Sequence, residues 1–425
     1  MGKTELLRRH FEDRRHLYCV GDLTNAQLQV QSISQRLGAL WRDPFLAEGR
    51  FSSWSDLLAY PPLQTSPLDL VLDEFPYLCE AEPALPSLIQ KQWDLHWSRA
   101  DVRLALCGSS ISFMENEVLS EKSPMFGRRT AQMRLRPLTA WDCKAFLPNY
   151  SAADRVRAFA CFGGVPAYLS KMDPSQTLED NLCNLILDPV AYLYEEPLLL
   201  LHQELREPRT YFSVLRALAA GLTRLNDIAQ RIGVDGHKLS RYLETLIRLE
   251  LVERIVPATD ESEHSRRGLY RIRDPFLRFW FAFVQDNRSE IDAGAGRALL
   301  ENLIRPRLPH FCSQTFEDLC AEWVRKNTFR CKKVGRWWDR AHELDVLAYN
   351  DEEVLFGECK WSTSKVGPAA LAQLQQASAA VPGFERHRRH YALFSLSGFE
   401  GIPSNVLQID IDVLMDGGSM LVQQP

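Results

Sequence analysis

Long apolar runs are missing from this 425-residue sequence. None approaches the roughly 18 to 20 residues that a transmembrane helix needs, so a membrane-spanning helix is not expected. The N-terminus is charged from Lys3 onward and lacks the apolar core of a secretory signal. Ten cysteines are scattered without a C-x-x-C pair, which speaks against zinc ribbons and disulfide frameworks. A cytoplasmic protein with reduced thiols is the simplest expectation. An excess of positive charge is also lacking. At a net charge of -5, contact with nucleic acid must come from local patches. Internal repeats and low-complexity tracts are absent. One last lack is local: Met1-Gly2-Lys3-Thr4-Glu5-Leu6-Leu7 reads as the second half of a phosphate-binding P-loop, G-x-x-x-x-G-K-S/T, without its first glycine or the strand that should precede it.

What is present is an ordinary globular balance, 45% hydrophobic and 25% charged, long enough for about two to four domains. Residues 1–150 alternate helical and strand-like stretches. Leu68–Leu72 and Val102–Cys107 are apolar without polar alternation, as buried parallel strands require, and the order fits a doubly wound α/β domain. Residues 151–205 turn helical around Gly163-Gly164-Val165-Pro166 and read as a helical lid. Residues 206–275 read as three helices and a hairpin, a winged helix-turn-helix. Residues 276–309 are a helical linker with clustered aromatics, and 310–425 form a second α/β pattern.

A helix starting just after Gly2-Lys3-Thr4 aims its free N–H groups and dipole at an anion. Lys3 would contact the β and γ phosphates of ATP, and the Thr4 hydroxyl would bind Mg2+. The partner motif is Leu68-Asp69-Leu70-Val71-Leu72-Asp73-Glu74. Asp73 would hold the magnesium and Glu74 would polarise the attacking water; the alternative is a solvated strand end that caps the next helix. Cys107-Gly108-Ser109-Ser110 ends a further apolar strand and puts Ser109 where a hydroxyl could sense the γ phosphate. Arg128 and Arg129, on the Gly127 turn, either stabilise γ-phosphate charge, in cis or across a subunit interface, or form a solvated basic turn.

In the winged helix, His237–Leu249 is the helix expected to enter a major groove. Leu239, Leu243, Leu246 and Ile247 face inward. Lys238, Ser240, Arg241 and Arg248 are available to DNA, and Arg266 and Arg267 extend from the wing. Asp260, Glu261 and Glu263 on the same wing would repel phosphate, so a protein-interaction module is the competing reading.

Near the C-terminus, Asp345 lies in one strand and Glu358 and Lys360 lie two apart in the next, after a turn at Asn350-Asp351-Glu352. Two carboxylates and a lysine so placed suit metal-dependent phosphodiester cleavage with Mg2+ or Mn2+. The alternatives are a half-buried hairpin with solvated charges and a degenerate fold that only binds.

The ordered set Lys3-Thr4-Glu5-Leu6, Leu72–Leu78, Cys107–Ser110, Phe126–Thr130, Leu135–Leu138 and Phe162–Pro166 resembles the archaeal-type AAA+ ATPases of the STAND branch, many with a C-terminal domain of unknown function. The C-terminal constellation resembles the PD-(D/E)xK, restriction-endonuclease-like superfamily. These resemblances imply a P-loop ATPase core, a lid, a winged helix and a nuclease-like domain. They imply Asp345 and Glu358 as metal ligands, Lys360 as catalytic, Glu317 as an accessory ligand, and Gln373 and Gln376 as backbone contacts. They also imply a strand and glycine ahead of Gly2-Lys3-Thr4. The start codon is therefore misplaced or the ATP site is partly lost, and a chain starting at Met1 is expected to bind ATP weakly or not at all. Three functions fit: an ATP-driven, DNA-associated protein whose nucleotide state controls a nuclease, a non-catalytic ATP switch that binds DNA or a protein partner, and a truncated pseudo-enzyme; a homo-oligomer is compatible with each.

Overall fold

The computed structural model describes residues 2–205, 207–260 and 265–417, in two compact units, Met1–Arg136 and Pro137–Pro425. The chain is a mixed α/β protein. Among the described residues, no helix is long and apolar enough to cross a membrane.

The first unit is built on a three-stranded parallel sheet in the order β1 (His16–Val20), β2 (Leu68–Asp73), β3 (Val102–Leu106). Central β2 buries consecutive residues Leu70, Val71 and Leu72 because both of its faces are covered. Helix α1 (Lys3–Phe11) precedes the sheet, and α2 (Ala26–Trp41) follows β1. The Asn25 side chain caps α2 by accepting from the Leu28 N–H. Its apolar stripe Val30, Ile33 and Leu37 enters a core with Trp54, Phe75, Leu78, Ile89 and Trp97.

The second unit begins at residue 137. Contacts distant in sequence set this boundary. The Trp141 indole N–H donates to the Leu414 carbonyl at 2.8 Å, and Ala140 is buried with Phe316 and Trp323. The helix Ala152–Phe162 is capped by Ser151 and ends at Gly163. A Cβ on Gly164 would lie 1.9 Å from the Leu138 carbonyl oxygen, so only glycine lets the two segments meet.

Three helices, Pro208–Ala219, Leu225–Ile232 and Gly236–Arg248, lead into the antiparallel pair β4 (Val252–Ile255) and β5 (Leu269–Ile272). The following segment does not act as a linker. Phe276, Phe279, Trp280 and Phe283 are all buried, and the Trp280 N–H donates to the Tyr194 carbonyl at 2.8 Å.

The helix Arg305–Asn327 then packs on a five-stranded mixed sheet. Its order is β10 (Leu407–Asp410), β9 (Arg388–Ser395), β8 (Glu353–Lys360), β7 (Glu343–Tyr349), β6 (Lys333–Trp338). The β6–β7–β8 meander is antiparallel, whereas β8, β9 and β10 are parallel. Phe316, Cys320 and Trp323 cover one face with Val346, Leu355 and Phe394. Leu371 and Leu374 cover the other with Leu347, Phe356 and Leu393. β6 and β10 were not expected from the sequence.

Candidate functional sites

In the first unit, three segments far apart in sequence converge. Gly2 takes a left-handed φ of 78° and opens α1, whose Leu6 N–H bonds the Gly2 carbonyl at 3.0 Å. Lys3 Nζ donates to the Gly108 carbonyl at 2.6 Å, and Thr4 Oγ1 donates to Asp73 Oδ2 at 2.8 Å. The Tyr18 hydroxyl donates to the same carboxylate oxygen at 2.5 Å, and the Glu74 N–H donates to Asp73 Oδ1 at 3.0 Å. Ser109 gives both its N–H, at 3.1 Å, and its hydroxyl, at 2.6 Å, to Glu74 Oε2. Glu74 itself holds a left-handed backbone, φ 50°, at the turn out of β2.

Asp73 is only 2% exposed. Burial works against its ionisation, but hydrogen bonds from Tyr18, Cys107, Thr4 and the Glu74 N–H outweigh it and hold the carboxyl below its usual range. Conversely, burial and the adjoining carboxylate raise Tyr18, and they push the Cys107 thiol up to about 12. The donor set is a carboxylate kept ionised beside a hydroxyl, a lysine and a helix N-terminus. Such a set suits a magnesium-bound phosphate.

Tyr18 escaped the sequence reading. The available signal was register: Val20 stands opposite Asp73 on the neighbouring strand, so Tyr18, two residues earlier, shares its face. Arg128 is not gathered into this cluster. Its guanidinium pairs with both oxygens of Asp94, at 2.8 and 2.9 Å, and donates to the carbonyls of Pro124 and Phe126. Arg129 is exposed, donates to the Leu119 carbonyl at 3.3 Å and lies over the Phe126 ring.

The second unit gathers a carboxylate cluster. Glu317 comes from the Arg305–Asn327 helix, Asp345 from β7, and Glu358 and Lys360 from β8. Regular β7–β8 pairing stops at Val346 opposite Gly357, and beyond it Asp345 Oδ2 accepts the Cys359 N–H at 2.8 Å. A Cβ on Gly357 would stand 2.9 Å from the Val346 Cβ, so glycine permits the close approach beside the site. Lys360 Nζ donates to Glu358 Oε1 at 2.5 Å.

Arg336 occupies a β-bulge between Gly335 and Trp337. It lies 3.3 Å from Glu317 and also pairs with Glu343. Burial pushes Glu317 up to about 7 against the attraction of Arg336, with Asp345 adding to the rise. Burial and then Glu358 push Asp345 up to about 6. Burial would lower Lys360, yet Glu358 holds it above its ordinary value.

Crowded, half-buried carboxylates of this kind are oxygen donors fit for a hard cation. Among the described residues no three His, Cys, Asp or Glu side chains are grouped to hold a metal ion, so Asp345 and Glu358 would share such an ion with water.

On the Gly236–Arg248 helix, Leu239, Leu243 and Leu246 are buried, and Lys238, Arg241 and Arg248 are exposed. The Ser240 hydroxyl donates to the Gly236 carbonyl at 3.0 Å. Between β4 and β5, Arg266 is exposed, whereas Arg267 pairs with Asp260 and donates to the Trp338 carbonyl at 3.0 Å. Its guanidinium is used within the protein rather than presented to a phosphate. Glu261 and Glu263 lie outside the described residues. Gln373 and Gln376 are exposed on the Pro368–Ala379 helix.

Comparison with known proteins gives a family. The chain is 32% identical over 407 residues to an uncharacterized protein of Methanocaldococcus jannaschii, covering 92% of this chain and 88% of that one. The chain belongs to the family of that archaeal protein. Residues 280–371 match the DUF234 family, described as archaeal and bacterial proteins of unknown function. A Walker-type ATPase of Pyrococcus abyssi is similar at 18% identity and a TM-score of 0.42, over 64% of this chain and 82% of that one. That likeness is too loose to bear on function.

Proposed function

We propose, with membership of that archaeal family as the premise, that the chain binds a magnesium nucleotide in its first unit and acts on DNA through its second. The observation that carries the nucleotide reading is the 2.8 Å bond between Thr4 and Asp73, residues 69 positions apart. Lys3 stands beside them at Gly108, and Glu74 is held by Ser109. In this reading Lys3 and the start of α1 neutralise the phosphates. Asp73 and Thr4 would hold the magnesium. Glu74 orients the attacking water and accepts its proton, and Ser109 positions Glu74.

Titration with a fluorescent ATP analogue tests this. Saturable, magnesium-dependent binding that Asp73→Asn weakens at least about tenfold is expected. Binding that is absent from the wild type, or equal in the variant, would overturn it.

For the second unit the proposal is metal-dependent cleavage of DNA by a PD-(D/E)xK-like centre, gated by the nucleotide state of the first. Asp345 and Glu358 would hold the cation together with water, and Glu317, expected as an accessory ligand, is not grouped with them as a third ligand among the described residues. A bound divalent cation supplies an activated water and neutralises charge on the phosphate. Lys360 supplies a proton-holding cation beside the reacting phosphate. The helix Gly236–Arg248 carries Lys238, Arg241 and Arg248 as contacts to the DNA backbone. The raised pKa values of Asp345 and Glu317 favour this reading, because carboxylates crowded in a half-buried place are otherwise unfavourable.

A non-cutting switch is favoured by a different observation: Lys360 already bonds Glu358, and Arg336 sits at Glu317. Cleavage of single-stranded, double-stranded and branched DNA with Mg2+ or Mn2+, with and without ATP, decides between them. Loss of cleavage in Lys360→Ala supports the nuclease. Its absence from both proteins supports the switch.

A further inference from the structure

Trp338, Asp339 and His342 are not used by the functions above, yet together with Arg336 and Glu343 they line a cavity of about 440 Å³. It lies within the second unit, between the β4–β5 ribbon, the Arg305–Asn327 helix and the β6–β7 turn. Ile255, Leu269 and Trp338 give it apolar surface, and Gln314, Arg340 and Glu343 give it polar surface.

Arg271 and Arg336 also line it, but their charges are already answered. Arg271 bonds Glu253 and Asp318, each at 2.7 Å, and Arg336 pairs with Glu317 and Glu343. Asp339 adds a further carboxylate to the lining. The walls therefore offer many donors and acceptors without a net positive field, which disfavours an isolated anion. Each of the two arginines also retains one buried N–H, Nη1 of Arg271 and Nε of Arg336, without a partner among the described residues. The volume, the indole and the mixed hydrogen-bonding rim suit a neutral, planar heteroaromatic group.

The cavity also adjoins the carboxylate cluster. Gln314 and Glu317 are one turn apart on the same helix face. Glu343 and Asp345 are alternate residues of β7, on one face and about 7 Å apart. A nucleotide whose base filled the cavity would carry its phosphate beside Asp345.

We infer that this cavity is a nucleobase site, receiving one unstacked base of a nucleic acid strand whose phosphate lies at the carboxylates. The choice of strand over free nucleotide rests on the phosphodiester reading; the base site itself does not.

The test is equilibrium binding to the full chain in EDTA, where no metal-dependent cleavage can occur. The probes are a short single strand carrying 2-aminopurine, the same strand with an abasic position, and free nucleoside monophosphates. The base-containing strand is expected to bind, with quenched 2-aminopurine emission. Trp338→Ala should weaken it about 5- to 150-fold and restore emission, and Gln314→Ala should weaken it less. Quenching is read in EDTA and needs no cleavage, so failure of the cleavage reading stays distinguishable from failure of this one. Binding of monophosphates alone, lost in Trp338→Ala, keeps the base site and identifies its source as free nucleotide. Equal binding of the abasic strand, no binding of any probe, or unchanged binding in both cavity variants with wild-type thermal unfolding would overturn the inference.

Discussion

Replacing Glu317 by glutamine is expected to stabilise the second unit at alkaline pH and to leave it unchanged in acid. The Glu317 side chain is 16% exposed, so bulk water does little to stabilise its charge. Burial, opposed by Arg336 and reinforced by Asp345, moves the carboxyl from an ordinary 4.5 up to about 7. The folded chain therefore keeps a proton that the unfolded chain has already released. Stability from this group is fully present below the unfolded value and is lost as pH rises toward 7. At about 1.4 kcal/mol per tenfold change in acidity, the ionised carboxylate costs the unit about 3 kcal/mol above that window. Glutamine keeps the shape without the charge but forfeits the 3.3 Å approach to Arg336, which makes no hydrogen bond to Glu317 Oε2. A net gain of about 2 kcal/mol near pH 8, and less than about 0.5 near pH 5, is expected. Hydrogen exchange of peptides from the Arg305–Asn327 helix, in EDTA, reads this directly, because variant and wild type are compared at the same pH. Protection should rise about 30-fold near pH 8 and stay equal near pH 5. Loss of protection near pH 8 would show that the attraction of Arg336 outweighs desolvation, and the reasoning would be refuted.

Tyr18→Phe removes a donor that helps keep Asp73 ionised. Magnesium-nucleotide binding should then be lost at a higher pH on acidification than in the wild type, and a coincident pH profile would count against the role of Tyr18. Gly164→Ala would place a methyl group 1.9 Å from the Leu138 carbonyl oxygen. A loss of more than about 3 kcal/mol in the second unit's urea stability is expected, and a midpoint close to wild type would show that the turn can move. Arg241→Ala should weaken DNA binding and reduce its salt slope by about one. Arg267→Ala should leave the slope unchanged, because that guanidinium is bonded to Asp260 and the Trp338 carbonyl; equal effects of the two variants in salt titrations would contradict this assignment.

What was legible in the sequence was local. Leu68–Leu72 read as a buried parallel strand because its apolar residues run without alternation, and the carboxylates after it marked where a site could lie. Glu358 and Lys360 stood out because charge two residues apart inside an apolar strand is unfavourable without a purpose. The pairings that escaped depend on partners the sequence does not place. Tyr18 joins Asp73 only through the β1–β2 register, and Arg336 meets Glu317 only because a bulge turns it toward the helix. Arg128 looked available until Asp94, 34 positions earlier, claimed it. The unit boundary at 136 reflects contacts such as the Trp141 indole bonded to a carbonyl 273 positions away. In each case a side chain's chemistry was readable from its type, but whether that chemistry is offered outward or used inside the protein was set by a long-range neighbour. The same distinction separates the two readings of the carboxylate cluster. If Lys360 and Arg336 hold Glu358 and Glu317 as permanent partners, the cluster is structural and the Glu317→Gln variant loses stability. If they are placeholders for a cation, removing one charge relieves the folded chain, and the alkaline gain appears.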